Sequence, residues 1–141
     1  MDASEREAMV QVALTHASAE TDSDLEGTMA TLDDDPVYEL QPMRRVLRGR
    51  DATRAYYEYF FAHFLPKVAG YELRNEWVTD EGLGQEYVME VTEGDGGTRS
   101  HAIIGILTFG RSGKLSGERL YASDEVLGMM FGPVLERTTP I

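Results

Sequence analysis

Apolar side chains recur at helical spacing across residues 4–19, where Met9, Val10, Ala13, Leu14 and Ala17 follow Ser4 and Glu7, a pair with capping-box spacing. This predicts a first helix. A shorter one follows: Ser23 is placed to cap it, Leu25, Met29 and Leu32 form its stripe, and Asp33 to Asp35 end it before Pro36. The segment "VYELQPM" (37–43) alternates as a strand does, with Pro42 marking an edge or bulge. "RRVLRGR" extends that strand or turns. The strongest element is "DATRAYYEYFFAHFLPKV" (51–68), a helix with Asp51 as cap, Tyr56, Phe60, Phe61, Phe64 and Leu65 on its apolar face, and Pro66 as its stop.

From residue 71 the period changes from helical to alternating. "YELRNEWVT" (71–79), "QEYVMEVTE" (85–93), "SHAIIGILTF" (100–109) and "KLSGERLYA" (114–122) read as a meander of strands, with hairpin signals at "GDGG" (94–97) and between Gly110 and Gly113. "SDEVLGMMFGPVL" (123–135) closes the chain as an amphipathic turn carrying Val126, Leu127, Met130, Phe131 and Leu135. Three helices, one early strand and a four-strand meander predict an α+β domain spanning residues 1–141, without repeat or linker.

The last hairpin places two charges. If Phe109 faces Lys114, then Gly105 opposes Glu118, Ile103 opposes Leu120 and His101 opposes Ala122. Alternation gives one face to His101, Ile103, Gly105, Leu107, Phe109, Glu118 and Leu120, and the other to Ile104, Ile106, Arg119 and Tyr121. Both faces are apolar enough to be covered, one by helices and the other by a second subunit. Gly105 beside Glu118 leaves space next to a carboxyl among Ile, Leu and Phe, an environment that raises a pKa and suits a general acid or base. Pairing of Glu118 with an arginine at a subunit contact or sheet edge is the alternative. His101 falls about 13 Å along the strand from the position facing Glu118, too far for a direct dyad.

Composition narrows the partners. A net charge of −12 argues against nucleic acid and against an anionic membrane surface. The absence of cysteine excludes disulfides, thiolate ligands and a Cys nucleophile. The first residues have no uninterrupted apolar stretch and no run approaches a membrane span, so a soluble, cytoplasmic protein is expected. The three histidines lie on separate elements without metal-ligand spacing, so no metal is expected. "GDGGT" lacks the P-loop lysine and opens no helix, and no G-x-S-x-G elbow occurs. Tyr38, Tyr56, Tyr57, Tyr59, Phe60, Phe61, Phe64 and Trp77 cluster if the long helix crosses the sheet, either as core or as the wall of a pocket for a small hydrophobic molecule.

The order of elements, with "DLEGTMATLDDDPVYELQP", "LRGRDATRAYYEYF" and "SGKLSGERLYASD", resembles the SnoaL-like, nuclear-transport-factor-like superfamily, which includes ketosteroid isomerases, polyketide cyclases and scytalone dehydratase. The resemblance covers nearly the whole chain. It implies a cystatin-like cone, a strongly curved, mostly antiparallel sheet wrapped around three helices with a central pocket, and a homodimer packed through the outer sheet face. It also implies proton chemistry without a cofactor. The isomerases' strand carboxylate falls at or near Gly105, their general base at Gln41 and their first-helix tyrosine near His16, so steroid isomerisation by the family's own residues is disfavoured. The pocket-facing positions of the cyclases' last strand correspond to Glu118 and Leu120, with the cyclase aspartate nearer Leu120.

The resulting expectation is a cofactor-independent lyase, isomerase or cyclase acting on a small hydrophobic oxygenated molecule such as an aromatic, polyketide or terpenoid metabolite. Glu118 is the candidate acid or base. His101 and Tyr38 are its hydrogen-bond donors, and Glu86 is a further carboxylate that a bulge would turn inward. Trp77, Tyr59, Phe60, Ile103, Gly105, Leu120 and Gln41 are the candidate substrate-binding residues. The alternative is a small-molecule-binding or dimerisation module without chemistry.

Overall fold

A computed structural model describes residues 1–141. Helix α1 (Ala3–Thr21) begins two residues earlier than the Ser4 cap predicts, because Asp2 and Glu5 form the capping box. Its buried stripe is Met9, Ala13, His16 and Ala19. Helix α2 (Leu25–Ala30) is capped by Asp24, whose carboxylate accepts from the Gly27 amide at 2.9 Å; the Ser23 expected there has left-handed φ instead.

Asp33 to Asp35 do not end a helix. They belong to strand β1 (Leu32–Gln41), which follows Thr31 directly. Arg50 explains the early start: its guanidinium donates to the carbonyls of Met29, Leu32 and Asp33, pinning the junction between α2 and β1. β1 runs to Gln41, and β2 (Arg45–Arg48) returns antiparallel to it, so "RRVLRGR" is a turn and a second strand.

Helix α3 (Arg50–Tyr59) starts from Gly49 (φ 95°), with Asp51 in its first turn, where a carboxylate favours the helix dipole, rather than at the cap. It continues as a π-turn (Phe60–Phe64) and a 3₁₀ turn (Leu65–Lys67) containing Pro66. Strands β3 (Val68–Val78), β4 (Gly82–Thr92), β5 (Thr98–Phe109) and β6 (Leu115–Tyr121) form the expected meander. Helix α4 (Asp124–Phe131), capped by Ser123, a 3₁₀ stretch (Gly132–Arg137) and the short β7 (Thr139–Pro140) complete the chain. There are thus four α-helices where three were expected, the closing amphipathic turn being the fourth.

All strands join one seven-stranded sheet in the order β3-β4-β5-β6-β1-β2-β7. Every pairing is antiparallel except β1 with β6, where Tyr38 stands beside Glu118 and Leu40 beside Leu120. The helices fill the concave side with a 24-residue apolar core that includes Tyr38, Tyr56, Tyr57, Phe60, Phe64, Ile103, Leu120 and Phe131. Tyr56 and Phe131 stack at 3.9 Å between centroids, joining α3 to α4. No helix is long and apolar enough to cross a membrane.

The last hairpin corrects the expected register. Gly105 opposes Leu120 and Leu107 opposes Glu118: Phe109 faces Leu115 instead of Lys114, and a bulge between Thr108 and Phe109 adds one more residue, so the pairing differs from expectation by two. A shift of two keeps every side chain on its face. Glu118 therefore still shares the concave face with Gly105, Leu107 and Leu120.

Candidate functional site

The concave face of β4 to β6, the last turns of α1 and the segment from Tyr56 to Val68 enclose a cavity of about 390 Å³, within the size range of small-molecule sites. Phe60, Leu65, Val68, Met89, Leu107, Leu120 and Met130 are among its apolar lining residues. Two carboxylates line it, Glu118 from β6 and Glu20 from the end of α1, and no lysine, arginine or histidine does.

Glu118 reaches the cavity because Gly105 has no side chain. A Cβ at residue 105 would lie 2.7 Å from Glu118 Oε2. Loss of water around Glu118 raises its pKa well above the usual carboxylate value, and the negative charge of Glu20 raises it further. No hydrogen bond opposes either effect. The carboxyl is therefore biased towards its neutral, proton-carrying form.

Glu20 sits one turn beyond His16, with its Oε1 3.7 Å from His16 Nε2. His16 is fully buried and begins a chain of polar contacts under the cavity wall. Thr31 Oγ1 donates to the Thr28 carbonyl at 2.7 Å, so it accepts from His16 Nδ1, also at 2.7 Å. In the neutral ring this leaves Nε2 to accept from the Tyr57 hydroxyl at 3.1 Å. Tyr57 in turn accepts from the Tyr38 hydroxyl at 2.5 Å. Burial, followed by nearby carboxylate charge, raises the pKa of both phenols, which keeps them protonated.

Two further phenols face the ligand space. Tyr56 and Tyr87 line the cavity, with pKa values raised by burial first and by Glu20 and Glu118 next, and no protein hydrogen bond contributes to either. They are neutral donors. The Tyr71 ring packs 5.1 Å from that of Tyr87 on the same wall, and the Gln85 amide lies nearby.

Of the residues proposed from sequence, Glu118, Gly105, Leu120 and Phe60 come together at the cavity. The others do not line it. Tyr38 directs its hydroxyl at Tyr57 and lies in the core. His101 is buried opposite Met89, and Ile103 is core beyond the cavity wall. Gln41 ends β1, where its carbonyl accepts from the Ala122 amide. Glu86 and Trp77 occupy the convex face, with Glu86 paired to Ile104 and the Trp77 ring covering Gly84. A bulge between Leu73 and Asn75 sets the register that puts Trp77 there. Tyr59 turns away from the sheet, its ring packed against Gly132 and 4.9 Å from that of His63. No cluster of three or more His, Asp or Glu side chains is arranged to hold a metal ion.

Sequence reasoning missed Glu20, Tyr71, Gln85 and Tyr87. A signal for Glu20 was present: Met9, Ala13, His16 and Glu20 follow 4-3-4 spacing on one face of α1.

The cavity, the curled sheet and the helices on its concave side can be set beside solved structures. An NTF2-like protein of unknown function from Burkholderia xenovorans LB400 superposes with a TM-score of 0.62 at 24% identity, covering 84% of this chain and 84% of that one. A steroid delta-isomerase from Pseudomonas aeruginosa gives 0.67 at 14% identity over 97% and 92% of the two chains. This chain has the NTF2-like fold. A SnoaL-like protein from Mesorhizobium loti shares the NTF2-like architecture at 20% identity, with a TM-score of 0.60 over 79% of this chain and 97% of that one. Neither a protein-family model nor a curated protein matches the sequence. The cone anticipated from the order of elements is therefore the fold observed.

Proposed function

We propose that this cavity carries out acid–base chemistry on a small hydrophobic oxygenated molecule, of the lyase, isomerase or cyclase kind, without a cofactor. The observation that carries the reading is Glu118, a desolvated carboxyl with no hydrogen-bond partner in the protein, facing an apolar space of ligand size. Burying such a group costs folding free energy, and groups of this kind cluster at functional sites. In its neutral form it donates a proton to a carbonyl or departing hydroxyl oxygen, and the Tyr56 and Tyr87 hydroxyls stabilise the oxygen's developing charge. Glu20, the second carboxylate, accepts the proton released from carbon. The identities of isomerases and cyclases among the fold's relatives agree with this class of chemistry and do not select within it.

Solvent-deuterium exchange at the α-carbon of small hydrophobic ketones, followed by NMR, tests the proposal without knowledge of the product. Wild type is expected to catalyse exchange for at least one ketone, and Glu118→Gln to slow it by about 100-fold or more while remaining folded. Undiminished exchange in Glu118→Gln removes Glu118 as the catalyst.

A second reading, a binding module without chemistry, is favoured by one observation. The Tyr38 hydroxyl, the expected oxyanion donor, is taken up by Tyr57 instead of the cavity. For assembly, we propose that the convex face meets a second copy of the chain: Trp77, Val88, Ile104 and Ile106 are half-buried there and Tyr121 is 42% exposed.

A further inference from the structure

The cavity is unbalanced in charge. Glu118 and Glu20 both line it, no lysine, arginine or histidine does, and the basic side chain that comes within 4 Å of either is His16 behind the wall, whose Nε2 is 3.7 Å from Glu20 and accepts from Tyr57. A carboxylate placed in an apolar site with no counter-charge is strongly disfavoured, and two repel each other. The protein does not supply the missing cation. On the same wall the rings of Tyr71 and Tyr87 stand 5.1 Å apart and tilted by 39°, and Tyr56 and Phe60 add two more aromatic faces. Aromatic faces attract cations, most strongly where water is excluded, as it largely is around Tyr87, while Tyr71 is half open at the cavity rim.

We infer that the cavity selects molecules bearing a protonated amine on an apolar body, with the ammonium seated between Glu118 and Glu20 against the Tyr71 and Tyr87 rings. This rests on the reading of the cavity as a ligand site and names the chemical class it takes. Anionic ligands are rejected by the same two carboxylates. An ammonium beside Glu118 reverses the bias that desolvation and Glu20 impose, so binding drives a proton off Glu118 and shifts its role from acid towards base. The titratable groups around this pair are His16 beside Glu20, the cavity-lining phenols Tyr56, Tyr71 and Tyr87, and the phenols Tyr38 and Tyr57 behind the wall.

The test uses three probes with one ring system: 2-(2-naphthyl)ethylamine, 2-(2-naphthyl)ethanol and 2-naphthylacetate. Each is titrated into the full chain by calorimetry near neutral pH at roughly 0.3 M salt, where a Debye length of about 5 to 6 Å screens the acidic surface. The amine is expected to bind at least tenfold more tightly than the alcohol, with the acetate weakest, and with a heat that varies with buffer ionisation enthalpy as a proton is released. In the Glu20→Gln/Glu118→Gln double variant the amine is expected to fall to the affinity of the alcohol. Equal or tighter binding of alcohol or acetate overturns the amine preference and leaves the ligand-site reading standing. An amine preference that survives in the double variant overturns the proposed seat. If none of the three binds, this inference and the ligand-site reading fall together.

Discussion

Removing the Tyr57 hydroxyl tests the polar chain under the cavity, because the directions of its hydrogen bonds make two similar substitutions unequal. In Tyr57→Phe the Tyr38 hydroxyl loses its acceptor and His16 Nε2 loses its donor, and both are fully buried. An unsatisfied buried group costs about 1–3 kcal/mol. The two together therefore amount to about 4 kcal/mol, or a fall in melting temperature of about 12 °C for a chain of this size. In Tyr38→Phe, Tyr57 still donates to His16 and loses only a donor to its own oxygen. The cost there is about 1 kcal/mol. Urea unfolding followed by circular dichroism reads both, with the m-value held as a control for an unchanged unfolded state. If Tyr57→Phe costs no more than Tyr38→Phe, the assigned directions are wrong, and with them the placement of the His16 proton on Nδ1.

Glu118 makes stability depend on pH with a definite sign. Its folded pKa is raised, so the folded state holds the proton more tightly than the unfolded state, and stability is lost as pH climbs from the ordinary carboxylate value to the raised one. Across that window wild type is expected to lose up to about 1.4 kcal/mol per pH unit relative to Glu118→Gln; a difference in melting temperature that stays flat from pH 4 to 9 contradicts the burial argument. On the convex face, Ile106→Glu is expected to convert a two-chain species into single chains by light scattering. A wild type that is already monomeric, or a variant that stays dimeric, removes that face as the contact.

Much of the fold was legible because period and punctuation agree: the aromatic helix, the meander and the closing amphipathic turn all follow from spacing alone. Glu118 was legible for a stricter reason. Its face depends only on parity, and the one-residue longer loop and the one-residue bulge near Phe109 together moved the register by an even step. Trp77 had no such protection, since the bulge between Leu73 and Asn75 leaves no mark in the composition of β3. Asp33 to Asp35 misled for another reason. Three aspartates before a proline have turn chemistry, yet Arg50, from the next helix, fixes that backbone as strand. Glu20 went unseen because its partner across the cavity, Glu118, is brought close only by the folded sheet.

The parallel pairing of β1 with β6 also governs the order in which the molecule can form. Tyr38 and Glu118 are neighbours in the sheet but roughly eighty residues apart along the chain, so this junction carries a large loop-closure entropy. The β3-to-β6 meander closes through local hairpins, whereas β1 and β2 must wait for residues beyond 115 before the sheet is continuous. During synthesis, the apolar strand Leu32–Gln41 therefore stays unpaired on its β6 side until nearly the whole chain has left the ribosome. Glu118 and the strand that pairs beside it thus take their places together, late, and as a single event.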